Sequence, residues 1–260
     1  MVDHKLYEKD LWRNPDILYL FNTEIIEYDM EEAGYSLIRE FKLLPEPVIE
    51  KLSCQSKQSR HVSIGKIEIK NKTLVERKKK AFIEARKLFM ESNKLNKDDI
   101  LSVKKDAIFV TKRCKHQRFG KYINFREKNV YTAFVSLTRT IDIFYKPSTL
   151  GPGQAIIEVK GISDEKVDLH REYFVDILKK YFYKIENATP EETIRFLVRM
   201  IDKYKAHKFV EIGYYRDFDN KSAYTLLNPD AVFDNDEEMI QDIDITINLK
   251  HLIHLIKISL

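Results

Sequence analysis

Apolar positions along the chain form helical stripes and short β-rich runs, with polar residues between them. The runs Asp16–Phe21 and Glu24–Tyr28, separated by Asn22-Thr23, predict a hairpin or a bent strand. Ala33, Leu37, Ile38 and Phe41 then recur at helical spacing, so a short helix follows Asp29. Pro45 and Pro47 mark its end and the entry to a second helix carrying Val48, Ile49 and Leu52. Arg60–Lys70 alternates loosely around Val62, Ile64, Ile67 and Ile69 with Gly65 inside, which fits either a short strand pair or the approach to the next helix. That next helix has the clearest signal. Thr73 and Glu76 have capping-box spacing, Leu74, Phe82, Ala85, Leu88 and Phe89 form one stripe, and Arg77, Lys78, Lys79, Lys80, Arg86 and Lys87 surround it.

From Asp99 to Tyr145 the pattern is β-rich, with runs at Ile100–Val103, Ala107–Lys112, Tyr122–Phe125, Val130–Leu137 and Ile141–Tyr145. Their short polar connections predict antiparallel pairing, with Lys104-Lys105-Asp106 at the bend of a hairpin. Pro147–Gly153 is the strongest loop signal. Beyond it come a strand at Ala155–Val159, a helix from Ser163 to about Glu186, and a second helix opening at Thr189-Pro190. Phe209–Phe218 reads as extended, and Ile243–Ile258 as a strand or a short helix. The fold class is therefore α+β. An arm over residues 1–15, ended by Asn14-Pro15, precedes an antiparallel sheet with packed helices over 16–146, and a mostly helical part spans 154–260.

Composition adds three bounds. With 43% apolar residues the chain can bury a full core, and it holds no run of roughly 18 apolar residues of the kind that spans a bilayer. The polar start Met1-Val2-Asp3-His4-Lys5 lacks a secretory core, so a cytoplasmic protein with no membrane partner is expected. Cys54 and Cys114 stand alone, which indicates neither a disulfide framework nor a zinc site. Charge changes the picture more. The net +4 hides a block from Lys57 to Lys128 with 22 Lys or Arg against 8 Asp or Glu, an excess of +14 that leaves the remainder at −10. Such a block would attract polyphosphate or nucleic acid; the alternative is a solvated face whose charges serve solubility alone. The acidic stretch Asp230–Asp244 is either a solubilising counterpart or a shield for the basic face, and it offers a surface to protein partners.

Asp29 at a strand end and Asp106 at a hairpin bend are the candidate chemical groups. Two carboxylates on adjacent strand ends can hold paired Mg²⁺ ions for phosphoryl transfer, with Lys and Arg on the phosphates. The bland alternatives are a helix N-cap for Asp29 and a satisfied turn for Asp106. Phe119, Tyr122, Phe125 and Tyr131, interleaved with Arg118, Lys121, Arg126 and Lys128, make either a base-stacking surface or ordinary core and cross-strand pairs. Cys114 has no orienting acid beside it, and His251 and His254 lack a third ligand.

Tyr28–Ile38, YDMEEAGYSLI, resembles the first palm motif of family B (phage-type) DNA polymerases, D-x-x-S-L-Y-P-S-I-I. Ser102–Val110, SVKKDAIFV, resembles their second, Y-x-D-T-D-S-I. The resemblance implies a palm-like sheet, and Asp29 and Asp106 as catalytic metal ligands for Mg²⁺. It also implies nucleoside triphosphate and nucleic acid as partners, with Arg77, Lys79, Lys80 and Arg86 on phosphates. Lys78, Lys104 and Lys105 extend that cationic set. Lys104 stands where the family has its first Asp, and Gly34 where it has the tyrosine that rejects ribose. Two functions follow. One is a reduced nucleotidyl transferase from a phage or mobile element, and the other is a non-catalytic nucleic-acid-binding, assembly or host-interaction protein on a palm-like scaffold.

Overall fold

A computed structural model of the chain describes residues 6–137, 141–150, 154–161, 175–205 and 247–259. It is α+β, with two antiparallel sheets and a C-terminal part rich in helix. The expected extended run at 209–218 and the acidic stretch at 230–244 lie outside the described residues.

Two compact units are interleaved along the chain. The first holds residues up to Ile17 and Glu24–Val130, and the second holds Leu18–Thr23 and the residues from Tyr131 onward. The division therefore falls within the long strand that ends at Tyr131, not at the Pro147–Gly153 segment that marks a boundary in the sequence. A continuous β run carries no turn signal, which is why the sequence hides it.

The first unit is a six-stranded sheet in the order β1-β4-β5-β3-β7-β6. Its strands are β1 (Leu11–Arg13), β3 (Ile25–Met30), β4 (Ile100–Lys104), β5 (Ala107–Val110), β6 (Arg118–Phe119) and β7 (Ile123–Tyr131); β2 (Tyr19–Leu20) belongs to the other sheet. The runs on either side of Asn22-Thr23 thus part company and do not form the hairpin that their spacing suggests. The expected arm is also part of the fold. β1 pairs antiparallel with β4, with Trp12 opposite Val103, and buried Asn14 donates from its side-chain amide to the carbonyls of Lys97 (3.0 Å) and Ile100 (3.3 Å).

Four helices accompany this sheet: α1 (Ala33–Glu40), α2 (Glu46–Ser53), α3 (Lys57–Lys70) and α4 (Lys72–Ser92). Tyr28, Leu37, Ile38, Phe89, Ile108 and Phe125 lie in their common core, and the rings of Phe89 and Phe125 sit 4.5 Å apart. Arg60–Lys70 is helical and not a strand pair. Ser56 caps α3 by accepting from Ser59 N (3.3 Å), and Ile64 is the one residue of the helix that is fully buried. The clear helix of the sequence is α4, although its cap is Asn71 accepting from Leu74 N (3.0 Å) and not the Thr73–Glu76 box.

The second unit has the sheet order β10-β9-β8-β2, with β8 (Ala133–Ser136), β9 (Asp142–Lys146) and β10 (Ile156–Lys160). Helices α5 (Asp176–Asn187), α6 (Pro190–Lys205) and α7 (Ile247–Lys257) belong to it. Thr189 and Glu192 make a reciprocal capping box at α6, Glu192 N donating to Thr189 Oγ1 and Thr189 N to Glu192 Oε2. Tyr145 stacks on Phe182 at 4.9 Å, and Tyr181 meets Ser259 at 3.0 Å. His254 contacts the Ser136 carbonyl oxygen at 3.0 Å, so this ring serves a structural contact. No helix among the described residues is long and apolar enough to cross a membrane.

Candidate functional site

Sheet register brings the two acids of the sequence motifs together. β3 pairs antiparallel with β5, Asp29 opposite Ala107, and Met30 N donates to the Asp106 carbonyl oxygen at 3.1 Å. Asp29 therefore sits inside β3, so it is not the N-cap of α1. Glu32 holds that position with a left-handed backbone (φ 45°, ψ 44°) and no side-chain cap. Asp106 is the second residue of a two-residue turn whose first, Lys105, takes φ 58°.

The surroundings of Asp29 are strongly polar. Lys128 reaches Glu27 at 3.4 Å and Asp29 at 3.6 Å, and Asn129 donates to Glu27 Oε2 at 2.7 Å. Burial pushes the Asp29 carboxyl above its usual range, the Lys128 ammonium opposes that shift, and the Asp106 charge adds to it. An Mg²⁺ pair needs a shell of hard oxygen ligands. Here an ammonium stands on Asp29, Lys104 adjoins the turn that carries Asp106, and no cluster of three or more metal-capable groups exists among the described residues. This donor set does not fit a two-ion site.

The cations of the basic block separate by environment. Lys78, Lys79, Arg86 and Lys105 line one cleft of about 370 Å³ together with Asp10, Glu68, Val75 and Phe82. Arg86, which also lines it, is 0% exposed, and each of its three guanidinium nitrogens donates to a protein acceptor. Nε donates to the Tyr7 carbonyl (2.8 Å), Nη1 to the Lys105 carbonyl (2.9 Å) and Nη2 to Asp10 Oδ1 (3.0 Å). The expected phosphate role of Arg86 is therefore corrected to a structural one. Arg77 donates to the carbonyls of Leu43 (3.2 Å) and Lys42 (3.3 Å) just beyond α1, and Lys78 pairs with Glu68. Lys79, Lys80 and Lys105 are exposed and pair with no carboxylate among the described residues. Gly34 turns toward this side of the unit, since an added Cβ would stand 3.6 Å from Lys78 Nζ.

A second cavity, about 420 Å³, lies in the same unit where β3, α1, the start of α3 and β7 converge. Asp29, Glu31, Glu32, Tyr35, Arg39 and Arg60 contribute to its wall, together with Tyr122 and Arg126. Arg60 bridges Glu32 and the carbonyls of Leu52 (3.0 Å) and Gln55 (2.9 Å), and its guanidinium lies 4.2 Å from the centre of the Tyr35 ring. Arg39 stacks on Tyr122 at 3.7 Å. Tyr122 and Arg126 belong to the aromatic-basic strand pattern visible in the sequence, whereas Tyr35, Arg39, Arg60 and the two glutamates are not singled out there. Phe125 from that pattern is core, and Tyr131 belongs to the second unit.

Cys114 is buried, and desolvation pushes its thiol up to about 12, which removes it as a nucleophile at neutral pH. Over residues 1–260 the chain matches the family described as Bacteriophage PBS1 gene 130 protein. No curated protein matches it.

Proposed function

We propose that this chain, which belongs to the Bacteriophage PBS1 gene 130 protein family and is thus a phage protein, binds nucleic acid without acting on it chemically. The observation that supports this reading best is the α4 cleft. Exposed Lys79 and Lys105 line the cleft beside Phe82 and exposed Val75, and Lys80 continues the positive face along the helix. Ammonium groups without carboxylate partners meet phosphates by displacing counterions, while an aromatic ring beside them accepts a base face. A role in the host cytoplasm accompanies this reading.

The measurement is fluorescence anisotropy of labelled single- and double-stranded oligonucleotides across a salt series. Binding is expected to weaken steeply with salt, and Lys79→Gln, Lys80→Gln and Lys105→Gln together should lower affinity across all sequences, with a reduced slope of about 0.9 per lost phosphate contact on duplex DNA. Asp29→Ala should fold and bind as the wild type does. Absence of binding at low salt would transfer the role of this surface to a protein partner.

Nucleotidyl transfer with Asp29 and Asp106 as catalytic Mg²⁺ ligands, the reading implied by the sequence motifs, is opposed by the Lys128 ammonium on Asp29 and by the lack of a third metal-capable group among the described residues. Its test is Mg²⁺-dependent incorporation of nucleoside triphosphates by the wild type, abolished by Asp29→Ala and by Asp106→Ala. Incorporation that survives both substitutions removes this site.

A further inference from the structure

We propose that the polar cavity between β3, α1, α3 and β7 is a binding site for a single nucleotide carrying a phosphomonoester, either free or at the 5′ end of a strand. It is separate from the α4 cleft and stands on its own residues.

Cavity size sets the first limit. A volume of about 420 Å³ is at the lower end of small-molecule sites, large enough for one nucleotide and too small for a duplex. Charge sets the second. Arg39, Lys57, Arg60 and Arg126 face Asp29, Glu31 and Glu32 in one lining. Three carboxylates repel a ligand that is anionic throughout, whereas a nucleotide presents a phosphate at one end and hydroxyl and amino donors at the other. The same cavity can thus bind both halves.

Unused bonding capacity sets the third. Arg60 is committed to Glu32 and two carbonyls. Arg39 has its planar face on Tyr122 and pairs with no carboxylate among the described residues, which leaves N–H groups at its edge for two phosphate oxygens. Lys57, in the first turn of α3, is exposed and likewise unpaired among the described residues. Arg126 meets Glu31 only at 3.7 Å. The sharpest sign is Tyr35. Its side chain lines the cavity, the residue is 6% exposed, and its hydroxyl is buried with no hydrogen-bond partner among the described residues. A phenol in that state lowers the stability of the free protein and is retained where a ligand or a site water completes it. Glu32, in the same wall and paired with Arg60, adds a non-glycine residue at φ 45°; such strain tends to collect at binding sites.

Isothermal titration calorimetry on the full chain provides the test, using dTMP, thymidine, inorganic phosphate, and 5′-phosphorylated and 5′-hydroxyl oligonucleotides of one sequence. Saturable binding of dTMP or of the 5′-phosphorylated strand is expected, about tenfold or more tighter than thymidine, phosphate or the 5′-hydroxyl strand. The two positive arms distinguish a free nucleotide from a strand end. Arg39→Gln should weaken the preferred ligand by about tenfold or more, the effect of losing a charge-assisted contact. Tyr35→Phe should weaken it severalfold while the melting temperature stays level or rises, a pair of changes that a purely structural hydroxyl would not produce. Lys79→Gln with Lys105→Gln, in the other cleft, should leave dTMP affinity unchanged, so failure of the nucleic-acid reading and failure of this one are separable. The proposal is overturned if phosphate binds as tightly as dTMP, if none of the probes binds, or if Arg39→Gln and Tyr35→Phe fold and bind as the wild type does.

Discussion

Replacing Arg86 tests whether a charge that the sequence offers to phosphate instead holds the first unit together. Arg86→Ala removes three donors at once. The carbonyls of Tyr7 and Lys105 lose their guanidinium partner, and a buried acceptor left unpaired costs about 1–3 kcal/mol. Asp10, 52% exposed, returns to water at little cost. Loss of the buried methylenes adds about 1–2 kcal/mol. The total of about 3–8 kcal/mol is a large share of the roughly 5–15 kcal/mol that stabilises a typical domain. Guanidinium denaturation can be followed through the fluorescence of Trp12, the single tryptophan, which sits on β1 beside the segment that Arg86 secures. Arg86→Lys should recover only part of the loss, because one ammonium cannot span three acceptors fixed for a planar fork. A loss below about 1 kcal/mol for Arg86→Ala, or nucleic-acid binding that falls while stability holds, would refute the structural assignment.

Three further outcomes follow from other sites. Asp29 has its folded pKa raised above the unfolded value of about 3.9, so its contribution to stability is full below that pH and is lost as pH rises through the folded value. Asp29→Asn should therefore match or exceed the wild-type denaturation midpoint at pH 7 and flatten the pH dependence, whereas a lower midpoint would mean that pairing with Lys128 outweighs burial. Gly120→Ala forces an L side chain to φ 60° and sets a Cβ 2.0 Å from Glu40 Oε1, displacing a carboxylate that accepts from Lys121 N (2.9 Å) and Tyr122 N (2.7 Å); a loss of about 2–4 kcal/mol in urea unfolding is expected. With a colourimetric thiol reagent, exposed Cys54 should react quickly and buried Cys114 only after denaturant is added; two fast thiols would contradict the burial of Cys114.

Elements with strong local periodicity are legible in the sequence. The apolar stripe of α4, the β4–β5 hairpin and the Thr189-Pro190 start of α6 each follow from a few neighbouring residues. α3 is ambiguous in the sequence because Val62, Ile64, Ile67 and Ile69 satisfy a loose β alternation; the Ser56 cap and the burial of Ile64 belong to the helix. Arg86 carried a readable signal, since it lies four residues from both Phe82 and Met90 on the inward stripe, but its charge pointed outward. β2 is two residues long and finds its partner over a hundred positions away, so no local pattern reports it. The nucleotide-sized cavity is illegible for a related reason: Asp29, Tyr35, Arg60 and Tyr122 meet only through packing of separate elements.

The interleaving of the two units bears on how the chain can be divided or made. It passes between them at Ile17/Leu18, Thr23/Glu24 and Val130/Tyr131, so no single cut yields both intact. A fragment ending at Val130 takes β2 away from β8, and one beginning at Tyr131 presents β8 as a bare edge. The same holds in time as the ribosome releases the chain. β1 must wait for residues 102–104 before it can pair, and β2 must wait longer, for residues 134–135. An incomplete chain therefore carries two short unpaired strands through much of its synthesis, and the first unit completes its sheet before the second can begin its own.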